Sequence, residues 1–397
     1  MHSTEDPGID PAITGRDRFL WVVAIFLFVF GDALTLQTRG PLLRSFEADF
    51  GVSESLLGLV SPAGTVGFIL TAVLAGFLAG RLDFKRWILI GIGVMGLTLL
   101  LMSGAPVFPL FIVFLIGQGT AAGIVRGLDR PLLSHIYPAN RGRMFALHAL
   151  AWAIGAVIGP IYVNYMLRLG DWRFAYVVLG ICFVPLVILV ARLRLPATIG
   201  AEQTFTISES RAILGRPLIL GMAIAITFLG AFEGIIYTWL PYFASEFMPL
   251  EQANILLTIF LLAYIPGRLL YSWLVDRYQS LYLSLIVSTL SIPPITIMIS
   301  GDTGYVLYIS VIAAGFFWAG LFPLISTFGV EVAPEYSGPI TALSAGGTYL
   351  GIGLGPLLVG IIAEQTGIMI AMFGALFMAL GVLGTLVLTW IAQYRLQ

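Results

Sequence analysis

The sequence predicts an all-α integral membrane protein, with twelve transmembrane helices in two pseudo-symmetric six-helix bundles. Three observations carry that prediction. Of the 397 residues, 59% are hydrophobic and only 10% charged; a soluble domain has about a quarter charged residues, so most of this chain is fit for lipid. The apolar residues gather into twelve segments of spanning length, near 19–45, 54–80, 87–104, 108–134, 145–167, 173–193, 217–245, 252–275, 280–299, 304–329, 338–362 and 367–391. Strands of a membrane barrel would be about 10 residues long and alternate in polarity, which these do not. Finally, the two halves of the chain repeat one another.

The longest polar connection, 194–216, is expected as a cytoplasmic loop between a first bundle (19–193) and a second (217–391), with short tails at 1–18 and 392–397. Gly155, Gly159 and Pro160 in the fifth segment fall on Gly351, Gly355 and Pro356 in the eleventh, and Pro138 falls on Pro334, all at an offset of 196 residues. Six helices return the chain to the side where it began, so the halves are parallel copies about an axis along the membrane normal. Arg16, Arg18, Arg81, Lys85, Arg86, Arg141, Arg143 and Arg216 all fall on one side, which the positive-inside rule makes the cytoplasm. A multi-pass plasma-membrane protein with both termini cytoplasmic is expected.

Several classes are set aside at this stage. A formal net charge of −1 argues against a nucleic-acid partner. The first 18 residues are polar, so no cleavable signal peptide is expected there. Cys182 cannot form an intramolecular disulfide, and its apolar neighbours predict an inert core thiol. His135 and His148 lack carboxylates at ligand spacing, so no metal is expected. With no Walker-type loop, Ser–His–Asp set or His-Glu-x-x-His helix, neither ATP drive nor enzymatic chemistry has residues to stand on. No cofactor is implied; the drive would be a proton or ion gradient.

The first segment centres on FGDALTLQTRGPLL, Phe30 to Leu43, and places Asp32 and Arg39 inside an otherwise apolar run. Seven residues apart is almost two turns, so a continuous helix would put both on one face roughly 10 Å apart. Thr35 lies between them, with Gln37 nearby. The seventh segment repeats the pattern as GAFEGIIYTWLPYF, where Pro241 and Thr238 match Pro41 and Thr38, and Glu233 sits one place beyond the match of Asp32. Acids in mid-membrane are costly and are read as functional. A carboxyl desolvated there can take up and release a proton as a cavity opens to either side. Gly64, on the second segment, is expected to change accessibility as it does so.

The loop after the second segment reads GFLAGRLDFKR, Gly76 to Arg86. It is similar to the loop signature of the major facilitator superfamily, Gly-x-x-x-Asp-Arg/Lys-x-Gly-x-Arg/Lys-Arg/Lys. Gly76, Arg81, Lys85 and Arg86 match; Gly80 stands at the signature's Asp and Asp83 at its second Gly. The second half keeps an Asp–Arg pair as Asp276 and Arg277. The resemblance covers essentially the whole chain and implies that these residues clamp helix ends in gating. It also implies a central cavity lined by the first, fourth, seventh and tenth helices, and those segments hold nearly all the embedded polarity.

In the fourth segment, GIVRGLDRPLL lets Arg126 meet Asp129 at i+3, with Arg130 at i+4 near the cytoplasmic edge. Arg126 attracts an anionic substrate or holds the inward gate through Asp129; otherwise the cluster anchors a helix end. The family's usual arginine at the start of this helix is absent. In the fifth, Gly155-x-x-x-Gly159-Pro160 resembles part of the family's antiporter signature, though close helix packing explains it and its copy equally well. Tyr237, one turn after Glu233, and Trp318 in the tenth segment join Thr35, Gln37, Arg39 and Arg126 as candidate substrate contacts.

The reading is a monomeric secondary active transporter that moves a small molecule by alternating access, proton-coupled through Asp32 and Glu233. Export of an amphipathic compound by antiport is favoured over uptake of an organic anion or sugar. A transport-dead receptor in the same fold would be expected to carry soluble domains or long tails.

Overall fold

A computed structural model describes residues 15–78, 82–194, 215–301 and 303–396. Arg81 and most of the central loop lie outside the described residues. Among those described, twelve helices are long and apolar enough to cross a membrane: α1 Gly15–Phe50, α2 Glu54–Ala75, α3 Phe84–Ser103, α4 Phe108–Ile136, α5 Pro138–Leu169, α6 Trp172–Arg192, α7 Pro217–Ala244, α8 Leu250–Leu274, α9 Ser280–Met298, α10 Tyr305–Val332, α11 Pro334–Thr366 and α12 Ile368–Arg395. Each matches one of the apolar segments. Helices prevail because hydrocarbon offers backbone groups no partner, and a helix satisfies them within itself.

Connections are short and capped locally. Asp171 accepts from the backbone N–H groups of Arg173 and Phe174 to start α6. Asp83 does the same for Arg86 at α3. Gly51 ends α1 with φ +62°, a left-handed turn open to glycine at little cost.

Helix α1 is not continuous. Regular α-helix stops at Leu36, and a 3₁₀ turn at Gly40–Leu42 precedes the last two turns. Pro41 has no N–H to give the carbonyl of Gln37, and the Thr38 hydroxyl bonds the carbonyl of Thr35 at 2.7 Å. The turn leaves Gly40 against the backbone carbonyls of Tyr237 and Thr238, where any Cβ would overlap them.

The repeated glycines explain how the bundles are built. A Cβ at Gly155 or Gly159 would run into α1 at Phe30, Leu34 and Gln37. One at Gly351 or Gly355 would run into α7 at Thr227 and Ala231. The same backbone-on-backbone contact therefore joins α1 to α5 and α7 to α11, and small residues four apart permit it.

Contacts between α1–α6 and α7–α12 are concentrated away from the face carrying the termini. On that opposite face Arg44 and Glu47 of α1 and Glu54 of α2 meet Tyr242, Ser245 and Glu246 at the end of α7. Asn164 on α5 donates to the Glu251 carbonyl at 2.9 Å and accepts from Asn254 at 2.7 Å. Ser61 on α2 donates to the Ile352 carbonyl of α11 at 2.9 Å. Among the described residues, no hydrogen bond or ion pair joins the bundles on the terminal face itself. Cys182, expected in the core, is exposed on α6; its apolar surroundings in sequence reflect the lipid-facing side of a helix.

Candidate functional site

Two polar clusters stand at the seam, one in each bundle. In the first, α1, α4 and α5 bring together Asp32, Arg126, Asp129 and His148. Arg126 lies 3.9 Å from the Asp32 carboxylate and 3.2 Å from that of Asp129. His148 Nε2 is 2.7 Å from the same Asp129 oxygen and 3.0 Å from Arg126 Nη1. That nitrogen cannot donate to Asp129 and accept from Arg126 at once, so the geometry fits Nε2–H donating to the carboxylate. Asp129 and His148 are fully enclosed, whereas the side chains of Asp32 and Arg126 keep 13% exposure each. Arg126 also stands near the phenol of Tyr349 on α11, close enough for its charge to act on it, and the Tyr349 ring faces Phe68 of α2 at 4.4 Å between centroids. Of these four groups, Arg126 is the one that faces a phenol of the other bundle.

In the second cluster, α7 supplies Glu233 and Tyr237, and α8 supplies Tyr264 and Arg268. The Tyr264 hydroxyl donates to Glu233 at 3.0 Å, with Tyr237 beside it. Arg268, one turn further along α8, holds its guanidinium 5.3 Å from the centre of the Tyr264 ring. No lysine or arginine among the described residues comes within ion-pair distance of Glu233. The two carboxyls therefore differ: Asp32 faces a cation, Glu233 a phenol.

Other candidates occupy less open positions. Arg39 is not the partner of Asp32. The break in α1 turns it into the first bundle, where it donates to Gln118 on α4 at 2.6 Å and lies over Gly64. It is 6% exposed, and the helix between it and Asp32 is not the regular one that the same-face spacing assumes. Gly64 is consequently packed rather than accessible. Thr35 is buried and donates to the carbonyl of Gly31, and Gln37 is buried against Gly159. Trp318 is 1% exposed and packs on Phe232 with ring centroids 3.8 Å apart, which makes it core and not lining.

Of the residues expected to gate, Asp129 lies in the first cluster and Arg130 is exposed at the end of α4. Asp83 caps α3, Lys85 and Arg86 follow it, and Gly76 lies in the last turn of the second spanning helix, which runs on to Leu78. Asp276 is exposed, and Arg277 lies over the Trp273 ring at 3.7 Å. Sequence reasoning missed Arg268, Tyr264, His148 and Tyr349. For Arg268 a signal existed: it is a charge inside the eighth apolar segment, four residues after a tyrosine. His148 had none, since its neighbours are supplied by another helix.

Twelve spanning helices in two like bundles, with charged clusters facing one seam, define a polytopic membrane transporter fold. The chain belongs to the Major Facilitator Superfamily, whose family model matches residues 21–248 and again 222–395. An uncharacterized MFS-type transporter of Escherichia coli K12, YhhS, is 25% identical over 98% of this chain and 96% of its own length. A probable sugar efflux transporter of Helicobacter acinonychis is 21% identical over 94% of this chain and 93% of its own. The inward-facing, occupied structure of a bacterial homologue of the human lysosomal transporter Spinster superposes with a TM-score of 0.83 at 12% identity, covering 95% of this chain and 97% of that one.

Proposed function

We propose that this protein is a proton-coupled secondary transporter that binds a small molecule between its two bundles and rocks them about the seam. The positive-inside rule supports reading the terminal face as cytoplasmic, and on that reading the contacts described above support an inward-facing arrangement. The observation that carries the reading is the position of Arg126. It answers to Asp32 in its own bundle and stands near Tyr349 in the other. A proton arriving on Asp32 removes one of the two acids that hold the guanidinium, and so changes its hold on the opposite bundle. Proton binding and bundle movement then share one side chain, which is what coupling requires.

Glu233 and Tyr264 offer a second exchangeable site at similar depth. The glycine–proline run, which favoured export by antiport, is occupied in both bundles by helix packing. Coupling therefore rests on the carboxyls and not on that run.

Proteoliposomes with an internal pH dye, challenged with lipophilic cations, organic anions and sugars, test the proposal. Expected is substrate-evoked proton movement that Asp32→Asn abolishes in folded, membrane-inserted protein. Wild-type accumulation ratios in Asp32→Asn would overturn the coupling.

A further inference from the structure

We propose that Arg268 is the anchor for the charged group of the substrate, an organic anion with an aromatic or otherwise apolar body, and that Glu233 and this anion claim Arg268 by turns. The inference rests on the transporter reading above and names the class of compound carried.

Arg39, Arg126 and Arg268 are arginines within the spanning helices that are at least partly buried. Arg39 is tied to Gln118, and Arg126 to Asp32 and Asp129. Arg268 is half-buried and, among the described residues, has no carboxylate within ion-pair distance. An embedded cation without a counter-ion is costly and marks an ion or substrate path. Simple snorkelling would carry the guanidinium toward the terminal face, where α8 ends six residues later. It lies instead on the ring of Tyr264, the turn nearer the membrane centre.

The level is also informative. Arg268 comes 18 residues after Leu250, the first residue of α8, and Arg126 comes 18 after Phe108, the first of α4. The two bundles thus offer one guanidinium each at the same count from the opposite face. Only the one on α8 is uncommitted.

Its surroundings suit an amphipathic anion. A guanidinium presents a planar fork that matches carboxylate, sulfonate or phosphate oxygens in pairs. Tyr264 and Tyr237 lie toward the centre, and Tyr271, packed on Phe316 at 6.0 Å between centroids, lies one turn the other way. Rings flanking one cation can cover the apolar part of such a ligand while the fork holds its charge.

The coupling follows from who else faces Glu233. Tyr237 shares its helix, Tyr264 and Arg268 come from α8, and Tyr349 of α11 stands near Tyr237. Arg268 is the one cation in that set. An ionised Glu233 draws on its charge; a proton on Glu233 releases it to the incoming anion. Anion and proton are therefore bound together, as in cotransport.

Binding of 2-naphthalenesulfonate, which stays ionised in acid and alkali, to the full chain in lipid nanodiscs tests this directly. Wild type is expected to bind it saturably and more tightly in acid. Arg268→Gln should weaken binding roughly ten- to hundredfold, the worth of a lost charge-assisted pair, while Arg268→Lys keeps most of it. Glu233→Gln should bind with no dependence on acid. Equal binding by wild type and Arg268→Gln, equal competition by the neutral sulfonamide, or no saturable binding to wild type would each overturn the proposal. Proton flux evoked by a neutral compound and retained in Arg268→Gln would remove the anion while leaving the transporter reading intact; no flux with any compound would remove that reading instead.

Discussion

The guanidinium of Arg44 lies over the ring of Tyr242, 3.6 Å from its centroid, and so pins the end of α1 to the end of α7. Glu246 and Ser245 hold the same guanidinium, and the Tyr242 hydroxyl meets both Glu47 at 3.0 Å and Glu54 at 3.2 Å. One phenolic hydrogen cannot serve two carboxylates, so the arginine is what balances this acidic corner. Arg44→Ala is expected to favour separation of the bundles on that face, by about tenfold in population, given about 0.5–2 kcal/mol for the stacked cation. Spin labels at the exposed positions Val107 and Tyr305 would read it as a shift to longer distances. An unchanged distance distribution would deny the latch its role.

The Asp32 cluster makes a prediction about acid dependence. Two carboxylates and one guanidinium leave one negative charge over, which a proton on Asp32 cancels. Transport by wild type should consequently depend on pH, while Asp32→Asn loses the dependence. Rates measured across a pH series in proteoliposomes decide the matter; identical profiles for wild type and Asp32→Asn would exclude this carboxyl from coupling.

Glycine substitutions should separate contact from flexibility. Gly355→Ala drives a methyl into the backbone of Ala231 and is expected to cost about 1–3 kcal/mol. Gly346→Ala, on the same helix with open space around it, should be neutral or slightly stabilising. Thermal unfolding in detergent compares the pair, and equal losses would mean that packing is not what the glycine serves.

Accessibility along α2 should change between two residues of one stripe. Ser61, 4% exposed and bonded across the seam, is expected to shield an introduced cysteine. Ala72, further along the stripe through Thr65 and Phe68 toward the terminal face, should accept a thiol reagent in the arrangement described. A substrate that drives the opposite arrangement should reverse the order, and fixed labelling at both positions would count against alternating access.

Much of this was legible in the sequence. Lipid demands long apolar helices, so their number and limits are written in composition, and the glycines at one offset announce two like bundles. The acids at Asp32 and Glu233 were visible for the same reason, as polar groups where polarity is costly. Their partners were not. Face geometry within one helix relates Asp32 to Arg39 only if the turns are regular, and the break after Leu36 ends that relation. Arg126 comes from another helix, at a distance no spacing encodes. Trp318 shows the same limit: an aromatic residue on the tenth segment reads alike whether it lines a cavity or stacks on Phe232.

The contacts of Gly155, Gly159, Gly351 and Gly355 bear on how the halves could diverge after an ancestral duplication. Where side chain meets side chain, a change on one helix can be answered by a change on the other, and the pair drifts. At Gly155, Gly351 and Gly355 main chain meets main chain, and no replacement of a neighbour can make room for a methyl group; at Gly159 the Cβ of Gln37 comes first, with main chain just behind it. That explains why these positions still coincide at one offset while the acids have slipped by a residue and the cations have moved to different helices. Drift was free to remodel the chemistry because the joints could not drift.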